Sequence, residues 1–274
     1  MNIRSIAIIT AVVLVLAVGG YGLYWYLNSQ TSEETTEPVE AETDQEQAEN
    51  QPQLSLEERF VQAFYDVELP NLEQLEQASP ITGNQEADER IRSIAEQRGY
   101  RLQSIPTVEL VVHQGVLMQE PVVEAWNQLQ TAAIEEGFYL GLVSGYRSPD
   151  NQREIFINQL RERGNEEIKA HYSNSQIAAG AADAAINDIL REYSIPGYSK
   201  HHNGYTIDIT DTTDEYPFFE FDQAESYSWV SENDYANIRQ FGFLPSYPEG
   251  GPSQGPNPEP WEYVWVGADI AMNL

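Results

Sequence analysis

Between Ser5 and Leu27 the chain carries no charged residue, and this limits what its first part can become. From Ile6 onward the run reads IAIITAVVLVLAVGGYGLYWYL, long enough as a helix to cross about 30 Å of hydrocarbon. Arg4 precedes it and no Lys or Arg follows until Arg59. That asymmetry predicts a short cytoplasmic N-terminus over 1–4, an anchor over 5–27 and everything later outside the cytoplasm. Tyr21, Tyr24, Trp25 and Tyr26 stand where an outer interfacial belt belongs. A cleaved signal peptide is the alternative, but its apolar core would be shorter and would end at a small-residue site. The run is read as a single-pass anchor in the cell membrane.

Residues 28–54 are rich in Glu, Gln and Thr and nearly empty of large apolar side chains. Such a segment cannot bury enough surface to offset chain entropy and reads as an acidic, disordered linker. It does not account for the charge of the chain. The formal net charge is −30, from 44 Asp and Glu against 14 Lys and Arg. Eight of the acids lie in 31–54, which leaves 36 acids against 13 basic residues from 55 onward. Phosphate binding needs clustered Lys and Arg, so nucleic acid is excluded as a partner. The chain has no cysteine, which removes disulfides, thiol catalysis and cysteine-ligated zinc.

The remaining stretch, 55–274, carries all the periodic apolar segments. SLEERFVQAFYDV has a Ser cap and helical spacing of Phe60, Phe64 and Val67. Helices are also expected over NQEADERIRSIAEQRGYRL up to Gly99, over PVVEAWNQLQTAAIEEG, and over PDNQREIFINQLRERG between Pro149 and Gly164. Two more are expected over AADAAINDILREYSIPG up to Pro196 and over YSWVSENDYANIRQFGF. Strands are expected at Tyr139–Val143, in YTIDIT and in WEYVWVG, too far apart to form hairpins. The fold class that follows is α+β: a small, mainly antiparallel sheet covered by several helices.

Three stretches place polar residues where an apolar pattern would be expected: SGYRSPDNQ, SKHHNGYTID and EPWEYVWVG. Taken alone, the second is also an ordinary polar turn leading into an alternating strand. Together, in this order, the three resemble the VanY-type D-alanyl-D-alanine carboxypeptidases, within the wider group of lysostaphin-like and hedgehog-like zinc peptidases. The resemblance covers about 87–267. Ser199, His201, Gly204 and Asp208 fill the family's S-x-H-x-x-G-x-A-x-D pattern, with Thr206 in place of the usual Ala. That pattern implies His201 and Asp208 as zinc ligands. Glu259 and Trp261 fill the later E-x-W-H pattern, which implies Glu259 as the general base. The segment SGYRS with Gln152 matches the substrate-binding stretch, implying Arg147 as the group that meets the peptide. Tyr146, Ser148, Gln152 and Ser199 are its expected companions in substrate binding.

The chain departs from the pattern at one decisive position. Glu262 stands where the family has the third ligand, His, and Val264 where it usually has Arg. A carboxylate can bind zinc, so His201, Asp208 and Glu262 remain a feasible set. Its two negative charges would acidify bound water less and admit other divalent ions. His202 should point away from His201, and His113 and His171 lie outside every motif. The resemblance implies a zinc-dependent, membrane-anchored hydrolase of peptidoglycan stem peptides ending in D-Ala-D-Ala. The alternative is a weak or inactive relative that binds cell-wall peptide or a partner protein.

Overall fold

Ser55 accepts a hydrogen bond from the Glu58 amide while the Glu58 carboxylate reaches back to the Ser55 amide, and this capping box starts helix α1, Leu56–Asp66. The computed structural model describes residues 54–163, 171–213 and 216–274. The predicted anchor and most of the predicted linker lie outside the described residues. Among those described, no helix is long and apolar enough to cross a membrane.

After α1 come β1 (Leu72–Gln74), α2 (Gln85–Gln97), β2 (Ser104–Pro106), β3 (Val111–His113), β4 (Val116–Met118), α3 (Glu120–Glu135) and β5 (Leu140–Ser144). Then follow α4 (Pro149–Glu162), α5 (Asn174–Ala178), α6 (Asp183–Ile189), a 3-10 turn at Lys200–Asn203 and β6 (Thr206–Asp211). A second 3-10 turn (Phe218–Gln223), α7 (Glu225–Arg239), β7 (Phe243–Pro245), β8 (Glu262–Trp265) and α8 (Ala268–Met272) complete the order. The architecture is α+β, as the sequence predicts, and every strand pair described is antiparallel.

Strands β5, β6, β8 and β7 form a four-stranded sheet in that order. One apolar core lies against it, joining Phe60 and Phe64 of α1, Trp126 and Leu129 of α3, Ile207 and Ile209 of β6, and Trp229 and Val230 of α7. A second core is mostly helical, with Ile91 of α2, Phe156 of α4, and Ile186 and Ile189 of α6.

Three expectations are corrected. A hairpin does form, β3 with β4, because Gln114 and Gly115 both take positive φ and make the tight two-residue turn that matches strand twist. The helix expected to run to Pro196 ends at Ile189. The helix over YSWVSENDYANIRQFGF is interrupted at Glu232–Tyr235, where Asn233, Asp234 and Tyr235 turn left-handed; Asn and Asp tolerate that conformation better than other side chains.

Candidate metal centre and its cleft

The 3-10 turn Lys200–Asn203 ends at Gly204, whose φ of 76° lets the chain reverse into β6. Thr206, where Ala is usual, donates its hydroxyl to Lys200 O at 3.0 Å and ties the strand back to the turn. His201 Nδ1 lies 2.7 Å from Gly145 O, so it carries the proton and donates, which leaves Nε2 free to face inward. Gly145 is required there: a Cβ would meet Leu117 O at 2.5 Å, since β4 packs directly on this segment.

Asp208 of β6 and Glu262 of β8 are directly opposed in the sheet register. Like charges in that position repel. Both side chains are buried, and Asp208 Oδ1 and Glu262 Oε1 have no hydrogen-bond partner among the described residues. His201 Nε2 lies 3.4 Å from Asp208 Oδ1 and 3.1 Å from Glu262 Oε2. Two ligands held about 2.0–2.1 Å from a tetrahedral ion sit about 3.3–3.4 Å apart, so the spacing suits zinc. One ligand atom from each of the three residues lies within 4.8 Å of the others. The donor set fits a divalent cation, which would neutralise the opposed carboxylates.

The electrostatics of these side chains follow from this crowding. Burial alone would lower the His201 pKa, but Asp208 and Glu262 outweigh it and raise it to about 9. Burial raises the Glu259 carboxyl well above its ordinary value, and the neighbouring Glu262 and Asp208 add to the rise. For Glu262 burial pushes upward, yet His201 and Lys200 hold the carboxyl below its ordinary value. Lys200 is itself fully buried behind the centre. Its ammonium donates to Ser246 O and to Gln254 Oε1 (2.7 Å) and lies 3.9 Å from the Tyr247 ring centroid. Burial brings its pKa down to about 7 against the upward pull of Glu262 and Glu259.

The centre opens into a cleft of about 530 Å³. Arg147 and Ser199 line it together with His201, Asp208, Glu259 and Glu262. Tyr146, Ser148 and Gln152 are not in its lining. Ser148 caps α4 by accepting from the Asn151 amide, and Gln152 is fully buried with both ends of its amide engaged. His202 is buried outside the lining, with its ring nitrogens at Arg147 O and the Gly197 amide. His113 is partly buried on β3 and His171 is exposed. The sequence reading missed one wall, Glu192, Tyr193 and Ser194, and another, Phe218, Phe219 and Tyr247. An isolated signal for the second existed in the paired aromatics YPFFEF.

The VanY family model, described as D-alanyl-D-alanine carboxypeptidase, matches residues 115–268, more than half of the chain. The chain belongs to the VanY family. The VanY match begins in the turn between β3 and β4, so α1, β1, α2, β2 and β3 lie before it. A D-alanyl-D-alanine carboxypeptidase of Enterococcus faecalis (strain ATCC 700802 / V583) is 30% identical over 149 residues, 54% of this chain and 48% of that protein. YodJ of Bacillus subtilis (strain 168) is 28% identical over 172 residues, 61% of this chain and 54% of that protein. The chain thus spans about half the length of the curated relatives it matches. A crystal structure of the vancomycin-resistance D,D-pentapeptidase VanY with Zn(II) is 27% identical, with a TM-score of 0.44, over 62% of this chain and 86% of that one.

Proposed function

We propose that this VanY-family chain is a zinc-dependent carboxypeptidase that removes the terminal residue from peptidoglycan stem peptides ending in D-Ala-D-Ala. The observation that carries the reading is the buried, directly opposed Asp208–Glu262 pair with His201 Nε2 turned toward both. A buried pair of carboxylates with unpaired oxygens is costly unless a cation compensates it.

His201, Asp208 and Glu262 would hold the ion. When bound, zinc supplies Lewis acidity, polarising a carbonyl and lowering the pKa of water. Glu259 takes the proton of the attacking water and passes it to the leaving amine. Its burial keeps the carboxylate basic, and a cation that offsets Asp208 and Glu262 would let it ionise and accept that proton. Among the described residues, Arg147 is the only Arg or Lys in the cleft lining, and the partners of its guanidinium, Gln152 and Ser144, are neutral. Its charge is therefore available to hold the terminal carboxylate of a peptide, a task that suits a planar fork of donors. The second reading, a peptide-binding relative without activity, is favoured by Glu262 alone, since a second carboxylate ligand weakens the acidification of water.

The experiment is hydrolysis of a D-Ala-D-Ala peptide by the full chain with zinc, alongside Glu259→Gln. Glu259→Gln should lose hydrolysis by at least about a hundredfold while zinc remains bound. Zinc binding by the native chain without hydrolysis would leave the binding reading standing.

A further inference from the structure

Arg147 is tied at both of its ends to a single loop. At the side chain, Nη1 donates to Gln152 Oε1 (3.0 Å), and Gln152 Nε2 donates to Ser194 O (2.7 Å). At the main chain, the Arg147 carbonyl lies 2.6 Å from His202 Nδ1, while the Gly197 amide donates to His202 Nε2 (3.0 Å). The second bond fixes the tautomer. A backbone N–H can only donate, so His202 Nε2 is bare and the proton on Nδ1 is given to Arg147 O. Both His202 and Gln152 are completely buried, so neither can touch a ligand in the cleft. Ser194 is part of the cleft wall, and Gly197 O is held from behind by the Gln103 amide at 2.8 Å.

We infer that His202 is a positioning residue for Arg147. Its imidazole clamps the Arg147 carbonyl to the Ser194–Gly197 loop and so sets where the guanidinium stands relative to the candidate metal centre. Gln152 does the same for the other end. The inference rests on the proposed role of Arg147 in holding the substrate carboxylate. It makes a chemical demand on position 202: one donor and one acceptor on the two edges of one planar group. Glutamine meets that demand, leucine does not, and asparagine carries the right groups on too short a stem.

The test uses the full chain with His202→Leu, His202→Asn and His202→Gln, each in the native and the Arg147→Ala background. Misplacing a substrate-holding group typically costs about 10- to 100-fold, so His202→Leu and His202→Asn should raise KM by that factor with a smaller change in kcat. Zinc stoichiometry should not change, because His201 has its own anchor on Gly145 O. His202→Gln should recover to within about threefold of native. In the Arg147→Ala background the same substitutions should add less than about twofold, as expected of residues acting through one another. An equal loss in both backgrounds, or a folded His202→Gln variant without recovery, overturns the inference. Amide hydrogen exchange gives a readout independent of catalysis: His202→Asn should speed exchange at Gly197 and Arg147 by about tenfold or more. If the native chain hydrolyses nothing, the proposed activity fails, and the exchange data still decide the clamp. Unchanged exchange at both amides would refute it.

Discussion

Two buried carboxylates opposed across β6 and β8 repel one another, and His201, whose Nε2 faces both, is the nearest side chain that can offset them. With its pKa raised to about 9, His201 is protonated at neutral pH and must release that proton to become a ligand. The sign follows directly. Zinc competes with a proton, so zinc affinity should rise as pH rises from about 6 toward 9, close to tenfold per unit at most. Calorimetry in buffers of different ionisation enthalpy should record about one proton released per zinc near pH 7, and no release would contradict the ligand assignment. Glu262→His removes one of the opposed charges and restores the family's ligand type. It should tighten zinc binding by about tenfold or more and raise hydrolysis of D-Ala-D-Ala peptide. Weaker binding in a folded variant would show that the carboxylate is the better ligand here.

At the scale of elements, the centre depends on a strand end meeting a hairpin. Strand β5 shifts register between Leu142 and Ser144, then runs into Gly145, whose carbonyl orients His201 and whose Cα faces the main chain of β4. The Tyr146 amide donates to Leu117 O and locks the junction. Gly145→Ala should therefore strike structure and site together. Forcing a methyl against Leu117 O should destabilise the fold by about 1–3 kcal/mol, read by urea denaturation. Displacing the carbonyl that orients His201 should weaken zinc binding by about 10- to 100-fold, as loss of a supporting hydrogen bond commonly does. An alanine variant with native stability and native zinc affinity would refute this coupling.

For the whole molecule, the reach of the site exceeds the stretch that matches the family. Phe64 and Tyr65 of α1 lie with their ring centroids 4.7 and 5.8 Å from the Lys200 ammonium, so a helix before residue 115 helps enclose that ammonium beside the candidate centre. The strongly negative chain presents Arg147 as the sole Arg or Lys of its cleft among the described residues, a contrast that focuses attraction for a carboxylate at one point. We further propose, from Arg4 and the uncharged run 5–27, that this unit works outside the cytoplasm on a single anchor. A reporter active only in the cytoplasm, fused after Leu54, should stay silent, and a strong signal would reverse the orientation.

Some of this was legible in the residues themselves. The caps and apolar spacing of α1 through α4 are local, so Ser55, Asn84 and Pro149 announce their helices without help from distant contacts. The residues of the candidate centre and their order were legible as well, because Glu262 still carries an oxygen where the pattern wants a ligand. The Gln-Gly hairpin escaped because its turn lacks the usual Asn-Gly signature, and the break in α7 because polar residues fit a helix surface as readily as a kink. What only the tertiary structure decided is which polar side chains remain free. Gln152, Ser148 and His202 have the chemistry to bind a substrate, yet each is engaged with a partner set by packing: Ser194, the start of α4, and the carbonyl of Arg147. A sequence shows how many donors and acceptors a residue owns. Which of them are already satisfied depends on contacts between segments far apart in the chain, and that balance left Arg147 and Ser199 facing the cleft.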